Sequence, residues 1–181
     1  MIAILEILKY TIPAIVVLIA AYLIVEKFLV TDLKRKQLAL LHENQDITTR
    51  LRLQAYERLV LYIERIHPRQ LVPRVYASNM NVAVLQSMLI STIRSEFEHN
   101  LSQQIYVSKQ VWDTVKGVME QEMGMINQLA GQLNPEAPAK ELQMRIMDFV
   151  LTSEIALPTE VALDIINNEA KYMLFYGHDT K

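Results

Sequence analysis

Two Glu-x-x-His segments hold the residue types best suited to chemistry: Glu64-Arg65-Ile66-His67 and Glu96-Phe97-Glu98-His99. At that spacing a helix sets carboxylate and imidazole on one face, as in four-helix bundles that hold a pair of iron ions. Glu64, His67, Glu96 and His99 are therefore the candidate ligands of a di-iron site. The expected geometry opposes it. His67 ends one helix and His99 ends the next, so an antiparallel hairpin would leave the motifs roughly 30 Å apart at about 1.5 Å per residue. His42 and His178 lie on a polar stretch and a tail. Two polar helix ends, with no metal and no other cofactor, are the expectation, and the di-iron site is the alternative.

Other chemistries find less support. There is no G-x-S-x-G and no histidine in a triad setting. The absence of cysteine removes disulfides, thiolate metal sites and cysteine nucleophiles together. The four glycines never fall within six residues of one another, so no glycine-rich phosphate loop exists. Three of them, Gly117, Gly124 and Gly131, recur every seven residues and drift little around a helix. They read as a solvent-facing strip, or as a smooth face on which a partner helix docks. The net charge of −2 in 181 residues gives no footprint for nucleic acid. No small-molecule substrate is evident.

These residues need a scaffold, and the sequence predicts an all-α one. Residues 10–25, YTIPAIVVLIAAYLIV, carry no charge. With their apolar flanks they extend over 7–30, which satisfies the about 20 residues a bilayer core requires. Lys9, Glu26 and Lys27 lie near the ends, where long side chains reach the interface. Pro13 falls in the first turns, and Tyr10 and Tyr22 are suited to interfacial anchoring. The n-region mixes Glu6 with Lys9, and the apolar run continues past Ala20-Ala21. A retained anchor therefore fits better than a cleaved signal peptide. Lys27, Lys34, Arg35 and Lys36 follow the span, which predicts a cytoplasmic body and a short outside N-terminus. The cluster Lys34, Arg35, Lys36 is a topology signal that could also meet lipid head groups.

The organisation expected is an anchor over 1–30, a basic collar and polar stalk over 31–50, and a helical domain over 51–181 of about five helices. A long helix over 33–66 ends at Pro68. In its first half Leu33, Leu40 and Ile47 repeat every seven residues, but Gln37 and Asn44 interrupt the seam, so a strong coiled coil is not supported. From residue 51 the apolar face broadens. HPRQLVPRVYAS reads as a connection. Asn79 or Asn81 then caps a helix to about residue 100, with Val82, Leu85, Leu89, Ile93 and Phe97 on one face. Ser108 caps a helix to 133 that buries Val111, Val115, Val118, Met119, Ile126, Leu129 and Leu133. Residues 139–151 and a segment opened by Pro158 complete the set. Trp112 and most methionines pack into the core.

The stretches LRLQAYERLVLYIERIHP and STIRSEFEHNLSQQIYVSKQVW, the segment ENQDIT and the LPT start of the last helix resemble an uncharacterised family of short Bacteroidota proteins. The resemblance covers most of the chain. It implies an N-terminal membrane helix, a helical cytoplasmic body and a bacterial inner-membrane setting, and no reaction, cofactor or catalytic residue. Polar residues are dense in these stretches, among them Tyr56, Arg58, Arg94, Glu96, Gln103 and Tyr106, and serve either a buried network or a binding surface. The resulting expectation is a non-enzymatic, single-pass membrane protein. It would act as a scaffold or accessory subunit, with the bilayer and other complex subunits or its own copies as partners. The alternative is a membrane-tethered di-iron enzyme.

Overall fold

The computed structural model describes residues 2–153 and 155–176, with side chains from residue 15 onward except those of residues 42, 44 and 176. All regular structure among the described residues is helical: α1 (Ile2–Ile66), α2 (Pro68–Val75), α3 (Val82–His99), a 3-10 turn (Leu101–Ile105), α4 (Lys109–Ala130), α5 (Ala139–Thr152) and α6 (Pro158–Tyr176). The chain divides into two compact units, residues 1–48 and 49–181.

The first unit is formed by the part of α1 up to residue 48. The sequence separates an anchor from a helix starting at residue 33, whereas α1 runs through this region as one helix. No proline or glycine lies between Val25 and Leu33 to end it. Among the described residues no helix is long and apolar enough to cross a membrane. The side chains of Tyr10 and Pro13 lie outside the described ones, as does the first part of the apolar run. From Ile15 onward the apolar side chains stand exposed all round the helix, from 47% at Val30 to 70% at Leu18. Lys34, Arg35 and Lys36 are also exposed, and Lys36 pairs with Asp32 one turn earlier at 2.9 Å.

The second unit holds the core. Ala55, Leu59, Tyr62, Ile63 and Ile66 of α1 follow 3- and 4-residue steps and are buried. Leu59, Tyr62, Ile63 and Ile66 pack in one cluster with Leu85, Leu89 and Ile93 of α3, Val111, Val115 and Ile126 of α4, Leu142 and Ile146 of α5, and Ile166 of α6. Capping sets the starts. Asn81 Oδ1 accepts from Val84 N at 2.9 Å, and Ser108 Oγ accepts from Val111 N at 3.2 Å. Val82 N donates to Ala137 O at 2.9 Å and Ala139 N to Met80 O at 3.0 Å, which ties the start of α3 to the start of α5. Trp112, Met119, Met123 and Met125 pack partly buried against the core, while Met88 and Met144 are exposed.

The segment read as a connection is instead α2. Pro68 opens it at a position where its missing N–H is harmless, and His67 caps it by accepting from Arg69 N through Nδ1 at 3.1 Å. Leu71 and Val72 are buried in the common core. Tertiary burial thus overrides Pro73, the proline inside the helix.

Candidate functional site

The inserted helix changes how the two Glu-x-x-His motifs relate. A simple hairpin would hold them far apart, yet Arg65 of the first motif donates to Glu96 Oε1 of the second at 2.9 Å and 2.6 Å. Tyr62 and Phe97 rings also meet, with centroids 6.1 Å apart. The expected separation of the motifs is therefore incorrect, because α2 carries the chain away before α3 returns. Proximity still does not assemble a ligand set. Glu96 is held by Arg65 and also lies 3.6 Å from Arg74. Glu64 accepts from Gln70 at 3.2 Å, His67 caps α2, and His99 Nδ1 contacts Ser95 O at 2.6 Å. No group of three or more His, Cys, Asp or Glu among the described residues could hold a metal ion. Burial lowers the His67 pKa, and the neighbouring Arg69 charge lowers it further.

The glycines separate into two kinds. Gly131 is the C-cap of α4, where an added Cβ would come 3.2 Å from Asn127 O. Gly117 and Gly124 lie inside α4, and a Cβ at either would have nothing within 4 Å. Gly117 lines an open groove of about 900 Å³ with Lys109, Asp113, Thr114, Gln121 and Pro158. Glycine in a helix interior is less favourable than alanine by about 1 kcal/mol. Gly117→Ala with Gly124→Ala should therefore raise stability by about 1–2 kcal/mol in urea titrations of the full chain. A loss of stability would show that these positions are packed.

Two polar features stand out that the sequence patterns do not single out. The first centres on Glu169 of α6. Its Oε1 accepts from Tyr56 Oη of α1 at 2.5 Å, and its Oε2 accepts from Ser108 Oγ, the cap of α4, at 2.6 Å. Arg52 Nε adds a bond to Tyr106 O at 3.2 Å beside it. Burial, then the bond to Glu169, raises the Tyr56 pKa. One carboxylate thus fastens three helices. The polar residues of residues 52–106 accordingly divide: Tyr56, Glu96 and Arg52 build such contacts, while Arg58, Arg94, Glu98 and Gln104 are exposed.

The second feature is Glu122. It is only 3% exposed, and its Oε2 has no hydrogen-bond partner within the protein. Helical register explains the position: α4 buries Val111, Val115, Val118, Glu122, Ile126 and Leu129 on one stripe. The apolar periodicity names Val118, Met119 and Ile126 and omits position 122, which bears a charge, although the step of four on either side marks it as internal. Desolvation raises its pKa to about 7. Tyr62 Oη, equally without a partner, has its pKa raised by burial and then by Glu96 and Glu122. Burial thus makes the Glu122 carboxyl harder to ionise than a solvated one.

An all-α domain built on a long N-terminal helix, with a polar clasp and a buried acid, is the class these features define. The chain belongs to the family of unknown function DUF7935, whose model matches residues 2–173. No curated protein and no solved structure matches.

Proposed function

We propose that this is a non-enzymatic single-pass protein of a bacterial inner membrane. Its helical domain lies in the cytoplasm and serves as a scaffold or accessory subunit of a larger assembly. The observation that carries the reading is the apolar surface of α1. Ile15, Val16, Val17, Leu18 and Ile19 all stand exposed, and at 3.6 residues per turn these consecutive positions go round the helix. An apolar surface of that extent is unstable in water and calls for lipid or protein cover. Together with the apolar sequence from residue 7, it has the length a bilayer core requires. Lys27 at the far end suits the interface, and Lys34, Arg35 and Lys36 favour the cytoplasmic side. Of the two Glu-x-x-His motifs, Glu96 is held in an ion pair, Glu64 accepts from Gln70 and His67 caps α2, which supports tethering over metal chemistry.

Alkaline carbonate washing should leave the full-length protein in the membrane pellet. A cysteine placed at exposed Ser78 should react only after the cytoplasmic side is opened. Mild detergent extraction should then yield a particle larger than one chain. Release by carbonate would remove the anchor, labelling from outside would reverse the topology, and a lone monomer at every concentration would remove the assembly.

A further inference from the structure

We propose that residues 30–47 of α1 pair with the same segment of a second copy as a parallel two-stranded coiled coil, just beyond the membrane. The inference rests on the anchored reading above. Its seam is Val30, Leu33, Gln37, Leu40, Asn44 and Ile47, alternating steps of three and four residues. Leu33, Leu40 and Ile47 occupy the d positions, and Val30, Gln37 and Asn44 the a positions. The d side chains stand 61%, 59% and 51% exposed, so no neighbour within the first unit covers them among the described residues. Leu41 flanks the stripe and Leu38 lies off it.

Past its first turn the stripe lies outside the apolar span. With the apolar span ending at Val30, Leu40 lies about 15 Å and Ile47 about 25 Å further along the helix at about 1.5 Å per residue. A lone helix in water takes most of its stability from packing, so a helical stretch of this length calls for a partner. A second copy fits for two reasons. Paired in parallel, identical chains meet like with like in every layer, leucine with leucine and glutamine with glutamine, and a polar a position favours a single register. The anchor also points every copy the same way and confines them to a plane. This raises their effective concentration and lets a seam too polar to be strong on its own still associate.

The chain has no cysteine, so single cysteines can be read without background. In native membranes under mild oxidation, Leu33→Cys, Leu40→Cys and Ile47→Cys should give about tenfold more disulfide homodimer than Arg35→Cys and Ala39→Cys, which lie off the seam. Adding Leu40→Glu to Leu33→Cys should abolish that dimer, while adding Ala39→Glu should leave it. Equal cross-linking at all five positions, or seam cross-links to a different protein, overturns the proposal. Carbonate washing of the same membranes separates the two readings. Protein that stays in the pellet without seam preference removes the coil and keeps the anchor. Protein that is released yet still cross-links at the seam removes the anchor and keeps the coil.

Discussion

Glu122→Met should raise the thermal midpoint of the full-length chain at pH 8 by about 10 °C, and at pH 5 by only a few degrees. The carboxyl is 3% exposed with an unpartnered oxygen, and burial lifts its pKa from an ordinary 4.5 to about 7. The folded state therefore keeps this proton up to about pH 7, while the unfolded chain releases it near 4.5. In that window the folded state binds more protons, so stability falls as pH rises. The contribution is fully present below pH 4.5, is lost through pH 7, and stays lost above it. A shift of this size corresponds to on the order of 3 kcal/mol.

Methionine fills a similar volume, titrates nothing and leaves no polar oxygen in the core. At pH 8 it removes the whole charge penalty. At pH 5 only the orphaned hydroxyl is relieved, about 1 kcal/mol. His67 acts in the opposite sense, since its depressed pKa makes the fold lose stability on acidification. The decisive quantity is therefore the difference between variant and wild type across pH, in which the His67 contribution cancels. A difference that is flat from pH 5 to pH 8 would mean that Glu122 does not titrate in the fold.

The sequence made the single-helix features legible. Asn81, Ser108 and Pro158 mark helix starts because capping is a local bond. The buried faces of α3 and α5 follow from apolar periodicity alone. Three features escaped for definite reasons. Pro68 and Pro73 disguise α2, whose burial of Leu71 and Val72 is a tertiary effect. Without α2, the approach of Arg65 to Glu96 could not be foreseen. Glu122 lies on the apolar stripe of α4 but was passed over as a charged residue. The bonds of Glu169 span 61 and 113 residues, beyond the reach of any periodicity. The glycine spacing was legible too, but it grouped Gly131, a helix end, with two interior positions.

Glu169→Ala should destabilise the fold by about 3 kcal/mol, because two hydrogen bonds to a charged acceptor are lost together. Such O–H···O⁻ bonds are short and roughly twice as strong as neutral ones, and the 2.5 Å and 2.6 Å distances here belong to that class. The loss also leaves the hydroxyl of buried Tyr56 with Arg52 as its remaining polar neighbour. Glu169→Gln is milder, about half the loss, since hydroxyls can both donate and accept and so still bond to an amide. Ser108→Ala removes one of the two bonds and the α4 cap as well. Combined with Glu169→Ala it should therefore cost less than the two single changes summed. Asp164→Ala, exposed on the same helix, should stay within about 0.5 kcal/mol of wild type. Because Glu169 joins α6 to α1 and to the start of α4, amide exchange in α6 should quicken more than in α3. Urea titration of Glu169→Ala within about 0.5 kcal/mol of wild type would show that the carboxylate is a surface contact and not the clasp of the domain.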